Sequence, residues 1–377
     1  MNSRIIPVLR KEAREILRDP YTLGIALFLP LVMLFLFGYA MNMDVRNITT
    51  AVYDQDLSQE SRDYVAAFVN SGYFKLVTYA DSYHQVERLL DSDTVEVALV
   101  IPSGFSSDLT AGRQAQVQTL LDGSYPPGAK AAINYATAIN EVYSGQVLSR
   151  YLTKMRGQPL DGVLAVELEP RVRYNPTLKS INYIVPGLFA VILMAFPPLL
   201  SALAVVREKE SGSIQNIFVA PVKPYEFIAG KMIPYGVIAY IEMLMVLLVG
   251  AFWFRVPFKG SMPFLLLASL VYVFCTVGIG LLVSTVTRSQ LAAMLLAIVL
   301  TMMPSFLFSG FIYPVSTLPY ILQLYTYLFP ARYFIEISRD ILLKGQGLEY
   351  LWPNTLILFG YTFLIVVIAS LRFRKKL

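Results

Sequence analysis

The chain has 377 residues, 56% of them hydrophobic and only 15% charged, which excludes a soluble globular protein and points to several membrane spans. Its net charge of +5 is unevenly placed: residues 44–179 carry 16 acidic and 12 basic side chains, the remainder 10 and 19. The basic excess therefore lies beside the apolar segments, where it sets topology, and nucleic acid need not be invoked as a partner. The single cysteine, Cys275, sits in an apolar run and rules out an internal disulfide or a cysteine metal cluster.

In residues 1–19, Arg4, Arg10, Lys11, Arg14 and Arg18 interleave with Ile5, Ile6, Val8, Leu9, Ala13, Ile16 and Leu17. This predicts an amphipathic interfacial helix, apolar side down on an anionic membrane face. A signal peptide is the competing reading. The following run is too long for an h-region and no small-residue cleavage site follows it, so the segment is expected to be retained. Residues 20–43 are uncharged and long enough to cross ~30 Å of hydrocarbon. The basic residues before this first span place its N-terminal end in the cytoplasm.

Residues 44–179 change character. Strand-like runs at 48–53, 74–79, 95–101 and 115–121 alternate with helix-like runs at 58–70, 82–90 and 103–110; a long helical run at 128–155 and a last strand-like piece at 163–174 follow. The alternation predicts an inserted α/β extracytoplasmic domain. His84 has no cluster of ligands around it, and no Ser/His/Asp set or spaced carboxylate pair is evident.

Residues 180–206 form a second span, with Pro186, Pro197 and Pro198 predicting kinks or an unwound turn. A polar segment at 207–231 follows. Within it Ser213 can cap a short helix, and Ile214, Ile217 and Phe218 fall on one face before Pro221 and Pro224 end it. A stub of about two turns is marginal alone and needs a partner for its stripe. Residues 232–254 and 260–287 are the third and fourth spans, the third interrupted only by Glu242. A span at 289–311, an outer re-entrant segment at 312–349, a sixth span at 350–371 and a basic tail at 372–377 complete the chain. Both termini are expected in the cytoplasm, because cytoplasmic segments hold 14 Lys and Arg and the short outer ones 5.

Several motifs keep a fixed order along the chain. They include Lys11-Glu12 and Arg18-Asp19-Pro20 before the first span, Val52-Tyr53-Asp54-Gln55-Asp56, Pro102-Ser103-Gly104-Phe105 and Asp122-Gly123-Ser124. They continue with Arg207-Glu208, Glu210, Gly212-Ser213-Ile214, Ala220-Pro221-Val222, Gly230-Lys231, Ser309-Gly310-Phe311-Ile312-Tyr313-Pro314 and Pro330-Ala331-Arg332-Tyr333. Over nearly its whole length the chain resembles the permease subunit of ABC-2 type exporters, in particular bacterial multidrug efflux permeases with a large extracytoplasmic domain. The fold class implied is an α-helical polytopic membrane protein with six transmembrane helices and an inserted α/β domain.

The resemblance implies that residues 207–231 carry a coupling helix seated in a cytoplasmic ABC ATPase subunit, through Arg207, Glu208, Glu210, Gly212, Ser213, Ile214, Ile217, Phe218 and Pro221. Gln215 departs from the Glu more usual there. It also makes the outer segment a pair of re-entrant helices near the exit, and implies a bacterial inner-membrane location and a dimer with a second permease copy or paralogue. A periplasmic adaptor protein is a further expected partner. Gly310, Pro314, Arg332, Glu336 and Arg339 are candidates for an outer gate. Arg332, Glu336 and Arg339 can also pair along one helical face, as a self-neutralised stripe.

Two other functions compete. Glu242 lies inside a span, where a carboxylate is expensive, so an ion- or proton-coupled carrier is one alternative. A single protonated Glu bonded to a neighbouring helix fits equally well. A membrane-anchored sensor built on the outer domain is the other. No catalytic residues, metal site or cofactor are expected in this chain. Gly230-Lys231 is followed by Met232, and Tyr225 stands where a P-loop needs Gly, so ATP and Mg are assigned to the partner subunit.

Overall fold

The computed structural model describes residues 5–41, 47–124, 126–156, 173–175, 179–215 and 222–373. The chain divides into two compact units, Met1–Asn42 with Val172–Leu377, and the inserted Met43–Arg171. The chain opens with α1 (Ile5–Arg18) and α2 (Pro20–Ala40). Asp19 separates them: its carboxylate accepts the Thr22 N–H at 3.1 Å as an N-cap, and Pro20 occupies the first helical position, where a missing N–H costs nothing. Val8 and Glu12 of α1 are buried, so α1 packs on protein with one face, where the amphipathic pattern had predicted an interfacial helix only.

The inserted unit is built around a four-stranded sheet in the order β2-β1-β3-β4: β1 Ile48–Asp54, β2 Phe74–Tyr79, β3 Val97–Ile101 and β4 Gln118–Leu121. β1 runs parallel to β2 and β3, and β4 is antiparallel to β3. Every residue of β3 is buried, as suits a strand covered on both faces. The covering helices are α3 (Gln59–Asn70), α4 (Tyr83–Asp91), α5 (Phe105–Thr110) and α6 (Pro126–Arg156). Ser58 and Ser82 cap α3 and α4 through their hydroxyls. One core joins Ile48, Val52, Leu99 and Ile101 of the sheet to Tyr64 and Phe68 of α3 and Ala132, Ala136 and Tyr143 of α6. The strand expected at 163–174 falls mostly outside the described residues, and 173–175 are not in a strand.

In the other unit, α7 (Ser180–Glu210), α8 (Pro224–Phe252), α9 (Met262–Val286), a helix α10 (Gln290–Leu307) and α13 (Leu348–Arg372) join α2 as six helices long and apolar enough to span a membrane. α7 is the most buried of the six. It is helical through Pro186, Pro197 and Pro198, with no unwound turn at any of them. Neighbours pack tightly enough to hold it: a Cβ on Gly280 of α9 would stand 2.1 Å from the Pro198 carbonyl oxygen, and the Ser201 hydroxyl donates to the Val277 carbonyl at 3.0 Å. α10 widens into a π-turn at Ile298–Met302, just before Pro304, whose missing N–H disrupts the regular ladder. It ends at Leu307, earlier than the 289–311 expected. Beyond it lie two short helices, α11 (Tyr320–Thr326) and α12 (Pro330–Arg339).

The polar segment expected at 207–231 is much shorter as a connection. α7 continues through Glu210 and α8 begins at Pro224, leaving residues 211–223 between them. The cause is local. Arg, Glu and Lys are good helix formers, and Glu226 closes the start of α8 by accepting the Lys223 N–H at 2.8 Å.

Candidate functional site

Charged side chains gather where α7 ends and α8 begins. Lys231, two turns into α8, has no exposed surface, and its ammonium lies 2.8 Å from the Glu12 carboxylate of α1 and 3.1 Å from the Glu208 carboxylate of α7. Lys11 pairs with Glu208 and, at 3.3 Å, with Glu15. Three carboxylates thus meet around two ammonium groups, and the buried members, Lys231, Glu12 and Glu208, each have an opposite charge in contact, without which burial would be prohibitive. Burial is the largest influence on Glu12 and lifts its carboxyl above the usual range, with Lys231 opposing. Burial works against the Lys11 ammonium, but the hydrogen bond and charge of Glu208 outweigh it and raise its pKa.

The same turn of α7 reaches further. Arg207 meets Asp19 at 3.0 Å. Hydrogen bonds from Thr22, then Arg207, hold the Asp19 carboxyl down at about 2. Lys209 donates to the carbonyls of Ser284 and Thr287 at the end of α9, while Glu210 accepts the Gln290 backbone N–H at 2.7 Å and its side-chain amide at the start of α10. Glu210 and Lys209 therefore satisfy helix ends that would otherwise be bare. One helical turn, 207–210, ties α1, α2, α8, α9 and α10 together.

Immediately beyond it, Gly212 has φ +74, a left-handed turn that ends α7 and that a β-branched residue would strain. The Ser213 hydroxyl donates to the Glu208 carbonyl at 3.4 Å. Ile214 starts a helical turn and is buried in the bundle core, 6% exposed. The Gln215 N–H, one of those the Ser213 hydroxyl was expected to cap, donates instead to the Gly212 carbonyl at 3.1 Å; Ile217, Phe218 and Pro221 lie outside the described residues.

Glu242 sits mid-way along α8 in a buried stripe with Ala239, Met243 and Val246. It is 1% exposed, and neither carboxylate oxygen has a hydrogen-bond partner among the described residues.

At the other end of α7, Arg339 of α12 behaves differently from the expected charge stripe. Arg332 pairs with Glu336 at 3.7 Å, but Arg339 turns instead to backbone: it donates to the carbonyls of Tyr183 at 3.1 Å, Gly310 at 2.8 Å and Phe311 at 3.1 Å, and stacks on the Tyr183 ring at 3.6 Å. A planar fork of five donors suits three carbonyls, two of them at the Gly310–Phe311 turn and one in the first turn of α7. Gly310, at φ +82, gives the turn its shape, and the Ser338 hydroxyl adds a bond to the Pro186 carbonyl at 2.8 Å. Glu336 also accepts from the Asn354 amide at 2.9 Å, whereas Pro314 is exposed and only opens a 3-10 turn.

Of the residues singled out from sequence, the structure brings Arg207, Glu208 and Glu210 into one lattice and Gly310 onto Arg339. Glu242 and Pro314 belong to neither. Lys231, Glu12, Lys11 and Asp19 were visible as motif letters but not as a cluster. The one available signal was a charge, Lys231, just inside an otherwise apolar run. Tyr183 and Ser338 carried no signal.

The profile described as "ABC-2 family transporter protein" matches residues 20–371. The chain is 30% identical to a probable multidrug ABC transporter permease, YbhR, of Escherichia coli (strain K12), over 100% of both chains. It is 29% identical to a second, YbhS, over 97% of this chain and 96% of that one, and 29% identical to the inner membrane transport permease YhhJ of the same organism over the same shares. Six apolar helices, an inserted α/β unit and a profile match running from the first span to the last place this chain in the ABC-2 transporter family.

Proposed function

We propose that the chain is the membrane subunit of an ABC exporter driven by ATP hydrolysed on a separate ATPase subunit, which docks on residues 211–223. The observation that carries this is the charged lattice around Lys231. It flanks the connection on both sides, so a force on residues 211–223 reaches α1, α7 and α8 together. In that reading the lattice end of the bundle faces the cytoplasm, in keeping with the basic residues there, and the Arg339 end faces outward. The relatives named as multidrug and inner-membrane permeases support an inner-membrane location and a drug or other lipophilic compound as substrate. Two permease copies or paralogues form the pathway, with a periplasmic adaptor as a further partner. ATP and Mg bind the ATPase subunit, since these 377 residues hold no Gly-x4-Gly-Lys-Ser/Thr arrangement.

The test is ATP turnover by the purified chain with and without its cognate ATPase in proteoliposomes. Turnover and substrate movement are expected only with both. Undiminished export without the ATPase subunit would overturn the proposal. A second reading, a proton-coupled carrier, is favoured by the unpartnered Glu242 carboxylate. It predicts export that collapses with the proton gradient while ATP is present, and that is lost in Glu242→Gln.

A further inference from the structure

The inserted unit contains a cleft of about 610 Å³ that the described residues do not fill. It opens between α6 and the stretch leading into β4. Its floor is aromatic: Tyr64 lies 5.7 Å from Phe105 and 5.1 Å, edge-on, from Tyr143, all three rings being buried. Tyr151 closes one end against Gly112, where a Cβ would stand 2.5 Å from its ring. The volume lies within the roughly 300–1,000 Å³ typical of small-molecule pockets.

The polar groups fix the chemistry. The Tyr64 hydroxyl donates to the Asn140 side-chain carbonyl at 2.5 Å, which orients that amide and leaves both its N–H groups without a protein partner among the described residues. Arg113 stands on the rim, held at 2.6 Å by Asp108, and no carboxylate lines the cleft among the described residues. Ring faces alone would attract a cation, but the polar groups that line this cleft are the Asn140 amide donors and the Arg113 guanidinium, with no lining acid to pair with one.

We propose that this cleft binds an aromatic small molecule, uncharged or anionic, with an acceptor oxygen that takes the free Asn140 amide N–H groups. Binding here needs neither ATP nor a partner subunit, so its failure would leave the exporter reading untouched.

The experiment titrates the full chain in phosphatidylcholine nanodiscs with 4-methylumbelliferone, 2-naphthoate and, as a cationic counterpart, 1-naphthylmethylammonium, using empty nanodiscs as the blank and equilibrium dialysis as the readout. Saturable binding of at least one of the first two, near one per chain, is expected, with the ammonium compound about tenfold weaker or more. Val147→Trp, which fills the cleft, and Asn140→Leu, which removes the donors, should each weaken binding by about tenfold or more. Exchange of Ile133, on the exposed side of α6, for Ala should not. Thermal melting checks that each variant is folded. No binding above empty nanodiscs, tighter binding of the ammonium compound, or equal affinity in folded Val147→Trp and Asn140→Leu would each overturn the proposal.

Discussion

Lys231 is the residue on which the cytoplasm-facing end of the proposed exporter depends. Its ammonium is fully buried between Glu12 and Glu208, and the pair geometry balances a desolvation penalty that neither carboxylate could bear alone. Lys231→Met should therefore lower thermal stability by about 3–5 kcal/mol, the range for stranding a buried charge. Lys231→Met combined with Glu12→Gln should recover part of it, because one stranded carboxylate is then neutral. Melting of the single and double variants in detergent checks this; equal melting temperatures for Lys231→Met and the parent would contradict it. Glu242 makes the opposite case. With no partner for either oxygen among the described residues, its carboxylate weakens the bundle. Glu242→Leu is expected to raise stability by about 1–3 kcal/mol. A lower melting temperature in that variant would mean the carboxylate is held by groups the apolar stripe does not provide.

Among the elements, α7 sets the architecture, and it stays helical through the three prolines, where an unwound turn was one expectation. A proline removes one hydrogen bond, but the helix stays continuous when neighbours press on it, and Gly280 allows α9 to come within that range. Gly280→Ala should separate α7 from α9 and cost about 1–3 kcal/mol by overpacking, measured as a lower melting temperature. Glycine-to-alanine at Gly360, where nothing lies within 4 Å, serves as the control and should stay within about 1 kcal/mol of the parent. At the other end, Arg339 fastens α12 and the turn at Gly310 to the start of α7. Arg339→Lys keeps the charge but loses the fork, so amide hydrogen exchange over residues 308–318 should quicken in that variant. Unchanged exchange would show that the three carbonyl bonds do not hold the turn.

For the molecule as a whole, periodicity and charge made six spans, the inserted α/β unit and its first four strands legible, because long uncharged runs and β/α alternation are local signals. What remained hidden was long-range. Glu12 and Lys231 are 219 positions apart, and Arg339 and Tyr183 are 156 apart; nothing local couples such residues. The boundaries of the polar connection were misjudged for a related reason: its charges looked solvated, but several of them complete helix ends and ion pairs. The central claim is that energy enters through residues 211–223. The most direct measurement is co-purification of the cognate ATPase with Phe218→Asp, together with ATP-driven export, in a variant that still reaches the membrane in parental amounts. Placing an unpartnered carboxylate in the docking cleft should release the ATPase and abolish export. Parental assembly and export by Phe218→Asp would show that the segment is only a connector and would contradict the account.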